Sequence, residues 1–498
     1  MNIRSLFAKS LRAQIVCGLL IALASLGLTS CHTAAYYYYY FPQYTYANRP
    51  VPPSRLANRV MVSFTANGST GQLQMLDGLR DIRNNVQNTI FSFPIAGYAS
   101  GYPSLIMNFP AELRGYVYSN SDGSVAVVDY SKETSASTGG ATFAPNSSVA
   151  VPATFTHLYA AIPSAGLFEI YDPIAGKNYG LSIPNVNKAF VNTGDSVVLA
   201  MALNSNIIYR VVLLNQNQFQ TAAQAIATLG AVDCQPLNNP VYCAVPVASP
   251  QDPANLYDRP QSAYFSLDGS SVYILNCGPE CGGQTASVTT LQTGPLNINN
   301  IPTSPVYSSV YQSQTLTPGG ATVALSDGST LYVAGQKLLP DGLFTGNLTT
   351  ISLATQQVTG TYGISDGTHT RLLFADDNTL WIGSSRCANG ERAKLNQNYN
   401  CLTRFDLGSQ QASILPNVTP GSSSAVVPYP NADNNMYYYG DLTGLCWVQN
   451  LHKVYTAYGG QVHAFNTADG SEINNFYITV QGTALDVAYM DAVTDAAD

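Results

Sequence analysis

Cysteine is the residue type in this chain with the clearest chemistry. Cys17 and Cys31 lie near the N-terminus, and six of the others form close pairs. The pairs are Cys234 with Cys243, Cys277 with Cys281, and Cys387 with Cys401. Each pair lies in or beside a long insertion, where a disulfide would limit loop entropy in an oxidising compartment. Cys277-x-x-x-Cys281 could instead bind a metal, but no second Cys or His pair of ligand spacing is nearby. We therefore predict three disulfides and no metal site, and a buried thiol at Cys446.

Histidines and oxygen ligands give weaker signals. No His-x-Glu-x-x-His, Cys-His-Asn or Gly-x-Ser-x-Gly constellation occurs in the sequence. His157 and His463 lie inside predicted strands, where we expect hydrogen-bonded structural roles. Asn431, Asp433 and Asn435 alternate as calcium ligands would, but a full site needs about six oxygens and usually a bidentate Glu. We predict a loop there rather than a calcium site.

The chain carries little charge. Lys and Arg number 21, Asp and Glu number 29, and only 10% of the residues are charged. A net charge of −8 leaves no basic stripe to neutralise a phosphate backbone, which argues against nucleic-acid binding. Because 46% of the residues are hydrophobic, the composition also argues against disorder.

The first 31 residues have the features of a targeting segment. Its basic residues are Arg4, Lys9 and Arg12. The apolar stretch from Ile15 to Leu28 is shorter than the ~20 residues that span a bilayer, and Leu28-Thr-Ser-Cys31 follows it. This arrangement resembles a bacterial lipobox. The resemblance implies that residues 1–30 are a signal peptide, that Cys31 is acylated, and that the lipid anchors the protein to a membrane. The alternative is an ordinary signal peptide with an incidental cysteine.

The residue after the acylated cysteine bears on the destination. In well-studied Gram-negative lipoproteins an Asp at this position retains the protein at the inner membrane, and here the residue is His32. The resemblance therefore implies an outer-membrane lipoprotein that faces either the periplasm or the cell surface.

Residues 31–57 are rich in tyrosine and proline. Five consecutive tyrosines, Tyr36 to Tyr40, are followed by Pro50, Pro52 and Pro53. No helical or strand period fits this stretch, so we predict an extended, semi-rigid tether. A contact surface for headgroups or a glycan is the alternative, because tyrosine rings are amphipathic.

The rest of the chain repeats one pattern, in which two strands flank a tight polar turn. The copies are Ala263 to Leu275, Thr322 to Ala334, Leu372 to Gly383 and Phe190 to Ala200. A third strand ending in Asp or Asn tends to follow, and a fourth, weaker strand completes the unit. Four antiparallel strands recurring every fifty-odd residues predict an all-β fold, a single β-propeller. The sequence pattern of the repeat resembles that of the YVTN-type propellers of bacterial surface and periplasmic proteins. The insertions at Asn215 to Pro260 and Cys387 to Asn400 are longer than is usual for that repeat.

Counting characteristic strands predicts eight blades over residues 58–492, followed by a tail at 493–498. The strands counted contain Val60, Tyr116, Leu158, Val197, Val272, Leu331, Leu380 and Val454. Seven blades would result if the strand at Val60 or Leu158 were not a separate blade. The first blade lacks a strand, and the last strand, Ala484 to Met490, has no partner. We therefore predict that this strand completes the first blade and closes the ring.

The sequence favours a binding function over catalysis. A low-charge surface with many tyrosines suits a binding or scaffold module for a protein or glycan partner, and we predict no cofactor. A hydrolase like the propeller lactonases is the alternative. Quinone-dependent propeller dehydrogenases use a repeated tryptophan motif, yet this chain has only Trp381 and Trp447.

His369 would begin an innermost strand and is the candidate for a residue facing the central channel.

Overall fold

The fold is described from a computed structural model of the chain. It describes residues 46, 49–82, 93–214, 218–235, 240–247, 257–301, 312–316, 319–387, 400–416, 439–473 and 478–493, with the backbone alone at 137–139 and 312–316. The chain divides into two compact units, Met1–Val51 and Pro52–Asp498. Cys31, the predicted signal peptide and Asn431, Asp433 and Asn435 lie outside the described residues, so these assignments and the proposed domain boundaries stay predictions.

The second unit is a β-propeller of eight blades, as the sequence predicts. Blade 1 consists of β1 (Arg59–Thr65), β2 (Gly71–Asp77), β3 (Phe93–Pro94) and β32 (Thr483–Tyr489). Blade 2 consists of β4 (Pro103–Phe109), β5 (Arg114–Ser119), β6 (Ser124–Asp129) and β7 (Thr134–Thr142). Blade 3 consists of β8 (Ser148–Ala150), β9 (Leu158–Ile162), β10 (Leu167–Asp172) and β11 (Lys177–Ser182). Blade 4 consists of β12 (Val186–Val191), β13 (Val198–Ala202), β14 (Ile208–Leu214), β15 (Asp233–Cys234) and β16 (Val241–Pro246).

The second half of the ring continues the same pattern. Blade 5 consists of β17 (Pro260–Phe265), β18 (Ser271–Asn276), β19 (Ser287–Gln292) and β20 (Gln312–Leu316). Blade 6 consists of β21 (Val323–Ser326), β22 (Thr330–Leu338), β23 (Phe344–Ser352) and β24 (Gln357–Ile364). Blade 7 consists of β25 (Thr368–Ala375), β26 (Thr379–Ser385), β27 (Leu402–Asp406) and β28 (Gln411–Leu415). Blade 8 consists of β29 (Leu442–Val448), β30 (Lys453–Tyr458) and β31 (Gln461–Asn466).

The C-terminal strand closes the ring as predicted. β32 pairs antiparallel with β1, with Val60 opposite Tyr489, and so forms the innermost strand of blade 1. Arg59 reinforces this closure from a buried position: its Nη2 lies 2.6 Å from Asp491 Oδ1, and its Nη1 lies 3.1 Å from Glu133 Oε1 in blade 2. One side chain therefore links the two ends of the propeller to the next blade.

The hydrophobic core is divided among the interfaces between blades. Eight clusters of buried apolar side chains each join two neighbouring blades. The cluster between blades 8 and 1, for example, contains Tyr455 and Val60. Each blade thus buries both of its faces, and the closed ring leaves no blade face uncovered.

Two blades depart from the predicted four strands. The insertion at Asn215 to Pro260 makes blade 4 five-stranded, because β14 pairs with β16 and β15 adds to its outer edge. Within that insertion helix α1 (Ala222–Leu229) begins at Thr221, whose side chain accepts a hydrogen bond from the Gln224 N–H. In blade 8 the described residues form three strands.

Helices in the described residues are few and short. Besides α1, helix α2 (Thr293–Leu296) and the 3₁₀ turns Pro110–Glu112 and Gly278–Cys281 are present. Among the residues that the structure describes, no helix is both long enough and apolar enough to cross a bilayer.

Candidate binding site at the propeller axis

A repeated irregularity shapes the innermost strands. In β4, β12, β17, β25, β29 and β32 one extra residue is inserted against the neighbouring strand, which is a β-bulge. Bulges re-aim the side chain that follows and are common at sheet edges and beside sites. The residues directly after these bulges are Leu105, Lys188, Ser262, Arg371, Gly444 and Asp486. We call these six residues the axial ring, because they occupy equivalent positions in six innermost strands.

Two members of the axial ring form an ion pair. Arg371 Nη2 of blade 7 lies 3.2 Å from Asp486 Oδ2 of blade 1. The arginine crosses blade 8, where Nη2 also donates to the Thr443 carbonyl at 3.1 Å. The Ile106 N–H of blade 2 donates to Asp486 Oδ2 at 2.8 Å. The pair therefore connects blades 1, 2, 7 and 8 at the axis.

Burial and a neighbouring glycine define the environment of Asp486. Its side chain is only 4% exposed, whereas that of Arg371 is 30% exposed. Burial raises the pKa of the Asp486 carboxyl, and the charge of Arg371 acts against this shift. A Cβ at Gly444 would lie 2.5 Å from Asp486 Oδ1, so the absence of a side chain in blade 8 leaves room for the carboxylate.

An axial cavity of about 640 Å³ lies beside this ion pair. Residues of β4, β8 and β12 line it from one side, and Arg371 lines it from blade 7. Its charged lining residues are Lys188 and Arg371, and no Asp or Glu lies among the lining residues. The cavity is thus cationic although the chain as a whole is acidic.

Lys188 is the member of the axial ring without a partner. It is half-buried, and its ammonium makes no hydrogen bond or ion pair with any residue that the structure describes. Burial lowers the pKa of Lys188. It also lines a second cleft of about 240 Å³ that contains Arg259, Asn204 and Cys281. A cation between two cavities is suited to binding an anion.

Two of the three disulfides close loops at the end of the propeller where the second cleft lies. The structure joins all three predicted pairs, with Cα–Cα distances of 4.1, 5.6 and 5.5 Å in chain order. Cys277 and Cys387 each follow the second strand of a blade, and those strand ends pair with the beginnings of β17 and β25. We call this end of the propeller the loop face. The other cysteine among the described residues, Cys446, is buried and is not disulfide-bonded.

His369 is buried rather than open to solvent. Its side chain is 1% exposed, its Nε2 donates to the Ser365 carbonyl at 2.8 Å, and its Nδ1 has no hydrogen-bond partner among the described residues. Burial lowers the pKa of His369 to about 4. The imidazole therefore stays neutral at physiological pH and lies inside the protein, next to the bulge that positions Arg371.

The other histidines that the structure describes each contact a carboxylate. His157 lies directly before β9 rather than inside a strand, with Nδ1 2.6 Å from Asp195 Oδ2. His463 lies inside β31, as predicted, with Nδ1 2.6 Å from Glu472 Oε1. Among the described residues, no group of three or more His, Cys, Asp or Glu side chains is arranged to hold a metal ion.

Comparisons with known proteins give low similarity. No family model and no curated protein matches the sequence. The dihydro-heme d1 dehydrogenase NirN in complex with DHE is 12% identical over 90% of this chain and 82% of its own, with a TM-score of 0.49.

Two further solved structures are similar at the same level. AztD from Citrobacter koseri is 9% identical over 87% of this chain and 98% of its own, with a TM-score of 0.46. A putative 6-phosphogluconolactonase from Bacteroides fragilis is 12% identical over 87% of this chain and 98% of its own, with a TM-score of 0.37. The propeller assignment rests on the strand pairing of this chain, and these similarities add no argument about its function.

Proposed function

We propose that the protein is a lipid-anchored β-propeller of the bacterial cell envelope that binds a protein or glycan partner through its loop face. One observation carries the binding role. The loop face combines two disulfide-closed loops, at Cys277–Cys281 and Cys387–Cys401, with a cleft containing Lys188 and Arg259. A loop that is closed by a disulfide has fewer conformations to lose on association.

Sequence features support the location. The lipobox-like sequence that ends at Cys31 and the YVTN-like sequence pattern of the repeat both resemble features of exported bacterial proteins. Three disulfides also suit an oxidising compartment. The residue after Cys31 is His32, which supports an outer-membrane destination.

Site-specific photocrosslinking on intact cells tests the binding face. A photoreactive amino acid at Arg386, exposed beside Cys387 on the loop face, should capture the partner. The matched control is Leu267, 65% exposed in the turn between β17 and β18 at the opposite end. Equal capture at both positions, or capture at Leu267 alone, would contradict the assignment of the loop face.

Fractionation tests the anchor. Cys31→Ala should release the protein from the membrane fraction, whereas Cys17→Ala, in the predicted signal peptide, should leave it there. Membrane association that survives Cys31→Ala would refute lipid anchoring. Protease treatment of intact cells then distinguishes the cell surface from the periplasm.

A further inference from the structure

The Arg371–Asp486 pair shows how this axis holds a carboxylate. The Asp486 carboxylate is bound by a guanidinium from blade 7 and by the Ile106 N–H from the edge of an innermost strand. An edge N–H also meets an acceptor between blades 3 and 4, where the Ala189 N–H donates to Ser148 Oγ at 3.4 Å. Edge N–H groups of innermost strands therefore face acceptors at the axis in two places.

Lys188 has the equivalent position, but no carboxylate of the described residues pairs with it. It follows the bulge in β12 as Arg371 follows the bulge in β25. No acidic side chain lines either of the two cavities that it borders. A half-buried ammonium without a counter-ion is unfavourable, and a ligand carboxylate would supply the missing charge. Because Asp486 already balances Arg371, the axial cavity has an excess of one positive charge.

The rest of the axial cavity is largely apolar. Half-buried side chains from three blades contribute to the lining; examples are Leu105, Met107, Phe109, Phe190 and Val151. Ser148 and Thr193 add hydroxyl groups. At about 640 Å³ the cavity is within the ~300–1,000 Å³ range of small-molecule sites. This lining suits an apolar body better than a heavily hydroxylated one.

We infer that the axial cavity is a binding site for a small amphipathic monocarboxylate, whose carboxylate pairs with Lys188 and whose apolar body packs against β4, β8 and β12. The axial cavity shares Lys188 with the loop-face cleft, but the two proposals have different readouts, because crosslinking at Arg386 reports the macromolecular partner and ligand titration reports the axial cavity. Either proposal can therefore fail without the other.

A matched pair of ligands tests the charge. The full chain, reconstituted in phospholipid nanodiscs, is titrated calorimetrically with 3-phenylpropionate and with its neutral amide, and empty nanodiscs give the background. Charge-assisted contacts of this kind correspond to about a 10- to 100-fold change in affinity. The acid should bind at least about 10-fold more tightly than the amide, and added salt should weaken only the acid.

Two variants test whether Lys188 is the cation that binds the ligand carboxylate. Lys188→Met should reduce affinity for the acid by about 10- to 100-fold while leaving the amide unchanged, which also shows that the cavity is intact. Lys177→Met removes an exposed cation from β11 and should change neither affinity. Equal binding of acid and amide, or an unchanged affinity in Lys188→Met, would overturn the inference. Tighter binding of glucuronate than of 3-phenylpropionate would contradict the inference that the body of the ligand is apolar.

Discussion

At the closure of the ring the buried charges are paired within the protein, whereas on blade 4 a half-buried charge has no partner. Arg59 contacts Asp491 and Glu133, and Arg371 contacts Asp486. Lys188 has the same position in its blade as Arg371, yet no described residue balances its charge. The difference separates charges that hold blades together from a charge that is available to a ligand.

Removing Arg59 should have the largest effect on stability. Arg59→Met leaves two buried carboxylates without their cation, and breaking a buried ion pair costs about 3–5 kcal/mol in the free energy of unfolding. Guanidinium denaturation of the reconstituted protein measures this loss. Lys132→Met is the control, because the Lys132 side chain, which pairs with Asp129, is 74% exposed and exposed ion pairs contribute less than about 1 kcal/mol. If both variants lose equally little free energy of unfolding, Arg59 does not stabilise the closure of the ring.

His369 should make stability depend on pH. Its pKa is about 4 when folded and about 6.5 when unfolded, so the unfolded chain binds the proton more readily. Stability is then complete above pH 6.5 and falls as the pH decreases towards 4, by roughly 3 kcal/mol. Denaturation at pH 7 and pH 4 measures this loss, and His369→Asn should reduce it.

The exposed His452 provides a control of opposite sign. Its hydrogen bond to Asp377 raises the pKa of His452, so its contribution is present at low pH and is lost as the pH rises. His452→Asn should therefore not reduce the acid destabilisation. A pH dependence that is the same in wild type and His369→Asn would show that His369 is not its source.

Much of the fold could be predicted from the sequence, because it depends on local patterns. Alternating apolar residues and turns such as Asp268-Gly269 specify each hairpin; the Asp268 carboxylate accepts the Ser270 N–H at 3.0 Å, and Gly269 has a φ of 70°. Such turns are local and repeat along the chain. The blade count and the closing strand follow from the same patterns, whereas the fifth strand of blade 4 depends on pairing across an insertion.

The candidate site could not be predicted in the same way. Lys188, Arg371 and Asp486 are far apart in the sequence, and only the ring brings them together. A signal does exist, because Arg371-Leu-Leu-Phe, Gly444-Leu-Cys-Trp and Asp486-Val-Ala-Tyr each place one variable residue before an apolar run that ends in an aromatic. Aligning the innermost strands on that run identifies Arg371, Gly444 and Asp486, whereas Lys188-Ala-Phe-Val and Leu105-Ile-Met-Asn do not match it. The position of His369 at the start of an innermost strand suggests a channel-facing side chain, but it does not reveal that this side chain is buried.

The Arg371–Asp486 pair should show a moderate coupling. Arg371→Met leaves the buried Asp486 without its cation and should cost about 2 kcal/mol, since contacts to charged groups contribute ~1.5–3 kcal/mol. Asp486→Asn in the same chain should recover part of this loss, because the amide needs no counter-charge. A double-mutant cycle measured by denaturation gives the coupling energy. Strictly additive losses would mean that the pair does not couple blades 1 and 7.

Lys188→Met should have the smallest effect and the opposite sign. Because Lys188 is half-buried and has no counter-ion in the described part of the chain, replacing it with an apolar side chain of similar length removes a desolvation penalty. We expect the free energy of unfolding without added carboxylate to stay the same or to rise by up to about 1 kcal/mol, whereas Lys177→Met should leave it unchanged. A clear loss of stability in Lys188→Met would mean that the ammonium has a structural partner. The contrast between the paired charges of Arg59 and Arg371 and the charge of Lys188 would then be wrong.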